Sequence, residues 1–203
     1  GWVDNANVIA PAIGGLSVTG ELLSKMSTAG TAALSIGANA GLTTQGANTV
    51  AVGHNAGQQA QATSAVAIGY LAGQNTQGSN SVAIGGNTGV TTQGTLAVAI
   101  GSSAGTTNQS SYGIAIGRLA GSATQGGSAI SIGQNAGQTT QGEFSIAVGS
   151  STGKTGQGVR SIAIGLLAGQ TNQGANGLIL SSKGTAVDDT TAGHIHIASS
   201  LAS

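Results

Sequence analysis

Ser81-Val82-Ala83-Ile84-Gly85-Gly86-Asn87-Thr88-Gly89-Val90-Thr91-Thr92-Gln93-Gly94-Thr95-Leu96 is one of nine copies of a 16-residue unit that follow each other without a slip. The glycine that ends each Val-Ala-Ile-Gly stretch recurs at Gly37, Gly53, Gly69, Gly85, Gly101, Gly117, Gly133, Gly149 and Gly165. A second glycine stands four residues later in every copy, from Gly41 to Gly169. Four residues beyond that comes a glutamine: Gln45, Gln61, Gln77, Gln93, Gln109, Gln125, Gln141, Gln157 and Gln173. A fixed period of this length is the mark of a repeat architecture.

Each position of the unit has a physical reading. Large aliphatics flank an Ala or Ser before the first glycine, as in Val66 and Ile68 or Ile162 and Ile164. That alternation is a strand with one large-apolar face and one small face. Glycine then supplies a positive φ angle or a close backbone approach where the strand turns. The Ala or Thr three residues after it is small enough to point inward at a corner. Thr-Thr-Gln-Gly is polar and β-prone and reads as a second, outward strand. One coil per unit, like stacked on like, gives parallel strands about 4.8 Å apart and a rod of roughly 40 Å from nine coils. The glutamines would form a ladder of amides, each donating to the next copy. A helix is excluded, because each interior glycine would cost it about 1 kcal/mol. The expected fold class is therefore all-β, a parallel β-solenoid or β-roll with 16-residue coils.

Ordering such a coil costs more conformational entropy than its two large aliphatics return on burial. Backbone ladders between coils, and burial of the Ala/Ser face, must supply the rest. With the aliphatics enclosed, Ala51, Ala67, Ala83, Ala99, Ala115, Ala147 and Ala163 form a stripe open to water. The expectation is self-association through that alanine face.

Ser-Val-Ala-Ile-Gly at 81–85, Ser-Ile-Ala-Val-Gly at 145–149 and Ser-Ile-Ala-Ile-Gly at 161–165 resemble the head repeats of YadA-type trimeric autotransporter adhesins. Those repeats are a little shorter and lack the regular Ala-Gly followed by Gln-Gly. Units carrying both marks, such as Ala65 to Gly78, resemble repeats in tail and surface fibres of bacteriophages and large algal viruses. The resemblance covers about residues 34–180. It implies a left-handed, homotrimeric β-roll: a rigid, non-enzymatic fibre shaft on a virion or cell surface that mediates attachment to a host. The implied partners are two further copies, a glycan or protein receptor and adjoining fibre segments. The alternative within this class is the head of a bacterial trimeric adhesin. From another class comes a monomeric ice-binding solenoid, which needs an even threonine row. The row of Thr43, Thr91, Thr107, Thr139, Thr155 and Thr171 is interrupted by Gln59, Asn75 and Ala123.

Three regions follow: a lead-in and cap at 1–33, the nine-copy shaft at 34–180, and a cap or junction to the next segment at 181–203. The lead-in starts without an initiator methionine, which reads as processing or excision. Trp2, Val8, Ile9 and Pro11 suggest an extended start, and Glu21 to Met26 one helical turn over the first coil. No secretory leader and no apolar run of spanning length is present, so membrane insertion is not expected. Charged residues make up 5% of the chain and its formal net charge is zero. A basic field for nucleic acid is thus missing, and the absence of cysteine excludes disulfide staples.

Positions that vary freely between copies face outward. The residue after the first glycine runs Ala38, His54, Tyr70, Gly86, Ser102, Arg118, Gln134, Ser150 and Leu166. A second variable row includes Asn48, Tyr112, Phe144 and Arg160. Tyr70, Tyr112, Arg118, Phe144 and Arg160 are the candidates for receptor contact. Gly149-Ser-Ser-Thr-Gly-Lys154-Thr155 mimics a phosphate loop with one residue too few between its glycines. Asn108-Gln109-Ser110 matches a glycosylation sequon, a match expected by chance in so Asn- and Ser-rich a chain.

The array ends at Gly177-Leu178-Ile179-Leu180-Ser181, where Ser replaces the turn glycine and Ile the small residue. Beyond it lie Lys183, Asp188, Asp189, His194 and His196. His194-Ile195-His196-Ile197 places both imidazoles on one face of a strand and both isoleucines on the other. In a threefold fibre these pairs would bring six nitrogens around the axis, a cage for a transition-metal ion. They resemble histidine pairs in certain phage fibre tips that hold axial metal. Asp188 and Asp189 form a second, weaker cation candidate.

Overall fold

A computed structural model describes residues 32–199, and within them there is no helix. In chain order the strands are β1 (Leu34–Ile36), β2 (Val50–Val52), β3 (Ala60–Gln61), β4 (Val66–Ile68), β5 (Thr76–Gln77), β6 (Val82–Ile84), β7 (Thr92–Gln93), β8 (Val98–Ile100), β9 (Ile114–Ile116), β10 (Ile130–Ile132), β11 (Thr139–Gln141), β12 (Ile146–Val148), β13 (Thr155–Gln157), β14 (Ile162–Ile164), β15 (Leu178–Ser181) and β16 (Ile195–Ala198). The Val-Ala-Ile strands build one 11-stranded sheet in the order β1-β2-β4-β6-β8-β9-β10-β12-β14-β15-β16. Each step from β1 to β15 joins equivalent positions of the unit, as in Val82 to Val98, Ala83 to Ala99 and Ile84 to Ile100. Across the coil, β3-β5-β7 and β11-β13 form shorter parallel sheets. Bridges from Gln93 to Gln109, Gln109 to Gln125 and Gln125 to Gln141 join them into one glutamine side. The chain is thus a parallel β-solenoid of about ten coils.

Both glycine rows do what their positions require. Gly85 has φ 130° and Gly89 φ 56°. A Cβ on Gly69 would meet the carbonyl oxygen of Gly85 at 2.4 Å, so the first row needs glycine for close stacking as well as for φ. Backbone hydrogen bonds run between coils at the corners too: Gly89 N–H donates to Ala104 O (3.0 Å), Ser103 N–H to Gly86 O (2.9 Å) and Tyr112 N–H to Thr95 O (3.0 Å). This ladder around the whole circumference holds together a coil with few large side chains.

The two faces of the Val-Ala-Ile strands are the reverse of the sequence expectation. Ala51, Ala67, Ala83, Ala99, Ala115, Ala147 and Ala163 are fully buried inside a single chain. The large aliphatics point out: Ile36, Ile68, Ile132 and Ile164 are 46%, 37%, 38% and 41% exposed. The cause is the width of the coil. Its lumen holds one small residue (Ser, Ala, Thr or Gly) at the strand start, the Ala or Ser row, the corner Ala or Thr, and the glutamine. A Cβ added at Gly89 would lie 3.3 Å from the Ala83 methyl and 3.1 Å from Gln93 Oε1, so the Ala row of the repeating coils has no room for a Val or Ile. The alanine stripe therefore cannot be an intersubunit surface; the apolar stripe open to water is the Val/Ile ribbon.

The sheet continues past residue 180. β16 pairs in parallel with β15 after a coil of 17 residues, Leu178 lying opposite Ile195. Ile179 enters the alanine row and packs on Ala163, Ala168 and Val187. The helical turn expected at Glu21 to Met26, most of the 1–33 cap and the last four residues lie outside the described residues.

Candidate functional site

The glutamine ladder runs through the lumen. Thr-Thr-Gln forms strands as expected, but the threonines face out and every glutamine is at most 4% exposed. Gln109 Nε2 donates across the coil to Val98 O (2.8 Å) and upward to Gln125 Oε1 (3.0 Å). Gln125, Gln141 and Gln157 repeat the pattern at 3.1–3.2 Å. Serines in the alanine row join in: Ser131 Oγ donates to Gln141 Oε1 at 2.6 Å, and Ser35 Oγ to Gln45 Oε1 at 2.9 Å. Two rungs are missing, leaving Gln77 Oε1 and Gln93 Oε1 without a donor. These amides bind the coils to each other and present nothing to a ligand.

The five contact candidates are all exposed but fall on two rows flanking the Val/Ile ribbon. Tyr70 and Arg118 lie on the row after the strand, and Tyr70 stacks on His54 with ring centres 5.6 Å apart and planes 18° from parallel. Tyr112, Phe144 and Arg160 lie on the row before it, with φ of 62°, 57° and 54°. Asn48, Asn80 and Asn176 take the same left-handed conformation in their coils, where asparagine is at home and bulky residues are not. Between Tyr112 and Phe144 the row carries only Ser128, beside Gly126 and Gly127. The gap forms a groove of about 680 Å³ lined also by Glu143. Sequence reasoning picked out both rings but not Glu143, whose relation to them appears only when coils are stacked.

At the far end, the register places Asp189 in the glutamine row: Gly174 N–H donates to Asp189 O (2.9 Å) as Gly158 N–H does to Gln173 O (2.9 Å). Its Oδ2 lies 3.1 Å from His194 Nδ1 and 3.9 Å from His196 Nδ1. The Thr191 N–H bonded to its Oδ1, aided by His194, holds the Asp189 carboxyl below its ordinary range. Asp188 turns away and accepts from Thr171 N–H at 2.8 Å. The alternation expected for 194–197 is present: Ile195 and Ile197 extend the outer ribbon, and His196 lies opposite Ile179 of the inner row. On an axis formed by outer ribbons, the isoleucines rather than the histidines would line the centre. Among the described residues no group of three or more His, Cys, Asp or Glu side chains is placed to hold a metal ion.

No protein-family model, curated protein or solved structure matches the chain.

Proposed function

We propose that the chain is a shaft segment of a homotrimeric fibre on a virion or cell surface, holding contact residues away from that surface for attachment to a host. The observation that carries this reading is the Val/Ile ribbon, an apolar stripe that follows the sheet from Ile36 to Ile197 on one side of a backbone-bonded rod. Contiguous apolar surface on this scale favours a partner, and an identical ribbon in the same register is the surface that matches it. The number three comes from the resemblance to YadA-type heads. Rigidity is the working property: outer rows repeated every coil offer many weak contacts that act together.

Light scattering on the purified chain tests this. Three chains per particle are expected, and Ile100→Lys, which places a charge in the middle of the ribbon without touching the lumen, should give monomers with an unchanged β-sheet circular dichroism spectrum. A wild-type monomer would overturn the proposal.

A further inference from the structure

Where rings occupy neighbouring coils of an outer row, as His54 and Tyr70 do, they stack face to face. Tyr112 and Phe144 belong to one row but are separated by two coils, which sets them about 9.6 Å apart along the rod. The coil between them contributes Gly127 and Ser128 in place of a ring, so a slot one ring wide is left open at the surface. A ligand ring touching both walls at about 4–4.5 Å on each side needs about 8–9 Å. A puckered ring fits that width; a flat aromatic, which stacks more closely, does not span it.

The slot has a polar floor. A Cβ on Gly127 would stand 3.5 Å from Glu143 Oε1, so this carboxylate leans over the glycine between the two rings. Glu143 has no ion-pair partner among the described residues, in a chain with only five Asp and Glu. Ser111 and Ser128 complete the lining. Both rings are more than half exposed and sit at left-handed φ, a conformation that costs a bulky residue about 1–2 kcal/mol. The same left-handed corner recurs at Leu96 and Arg160 in this row, so what distinguishes Tyr112 and Phe144 is that they stand exposed on either side of one groove.

We propose that this slot binds one neutral pyranose residue of a surface glycan. The two rings cover the apolar faces of the sugar, the Glu143 carboxylate accepts hydrogen bonds from ring hydroxyls, and Ser111 and Ser128 bond those remaining. The unpaired carboxylate repels acidic sugars. A bare ammonium group would fill little of the groove and leave the serine hydroxyls unused. The assignment deepens the attachment reading and rests on it for the source of the glycan.

The test is saturation-transfer NMR on the full chain with methyl β-galactopyranoside, methyl β-glucopyranoside, methyl N-acetyl-β-glucosaminide and N-acetylneuraminic acid as separate probes, and tetramethylammonium as competitor. At least one neutral glycoside should receive saturation, and the acid none. Tyr112→Ser and Phe144→Ser should each weaken binding about fivefold to tenfold. Ser128→Tyr should abolish it by filling the slot with the chain's own ring. All three variants use residue types already present in this row, and circular dichroism confirms their fold. Transfer to no neutral glycoside, binding retained by Ser128→Tyr, or full displacement by tetramethylammonium would overturn the assignment. A trimer that binds no glycoside refutes the slot alone; a monomer that binds one refutes the trimeric shaft and leaves the slot standing.

Discussion

Gln109 shows how much one residue of the unit carries. Its amide reaches Val98 O, Gly113 O and Gln125 Oε1, and its own Oε1 accepts from Gln93. Gln109→Leu keeps the volume and removes every one of these bonds, leaving the buried Gln125 Oε1 without its donor while Gly113 O keeps the Val98 N–H. The expected loss is about 2–5 kcal/mol, from about 1–3 kcal/mol for the one unsatisfied oxygen and about 0.5–1.5 kcal/mol for each other bond lost, read as a lower urea midpoint at unchanged slope. Thr92→Ser, one coil earlier on the outer side, should stay within about 0.5 kcal/mol. The contrast between inner and outer positions was only half legible from the chain. Free variation correctly marked Tyr112, Arg118 and Phe144 as exposed, and the two glycines and the corner Ala or Thr behave as read. Period-2 alternation, however, defines two faces without saying which is enclosed, and hydrophobicity pointed to the wrong one. The better guide was restriction of size: a row confined to Ala or Ser, facing an unvarying glutamine, describes a space with no room, whereas exchange among Val, Ile and Leu describes a surface.

Among the elements, β16 closes one end of the large sheet, as β1 closes the other. Its coil replaces the ladder glutamine by Asp189, whose carboxylate ties the Thr191 N–H and His194 into the last turn. Because the folded carboxyl ionises below its ordinary value of 3.8, it stabilises this coil above that pH, and the stabilisation disappears as the pH falls through the lower folded value. Amide exchange at Leu178 and Ser182, which donate to His194 O and Ala198 O, should therefore accelerate in acid relative to Val98 in mid-shaft. Asp189→Asn should remove that acid step, and an unchanged profile in the variant would assign the loss elsewhere. The histidine alternation could be read from four residues; the part played by Asp189 could not, because the three extra residues ahead of Val187 hide its register until the coil is traced.

At the scale of the molecule, contacts join each coil only to its neighbours, so stability should behave as a sum over coils. Deleting residues 82–97 joins Ser81 to Val98 and should preserve the β-sheet spectrum and a cooperative melt, while small-angle scattering reports a rod shorter by about 4.8 Å. Deleting residues 82–89 alone would set glycine corners against strand positions at one junction, and should weaken the β-sheet spectrum and split the melt into separate transitions for the coils on either side. Self-association, proposed above, belongs to this scale as well, and its grounds move from the alanine stripe, which is buried, to the exposed Val/Ile ribbon.

The register that never slips over nine copies also makes the chain a gauge. Adding or removing one whole unit keeps that register, because each unit is one step of fixed height with the same corners and the same lumen. Reach can then change by inheritance in increments of a single coil, without passing through a misfolded intermediate length.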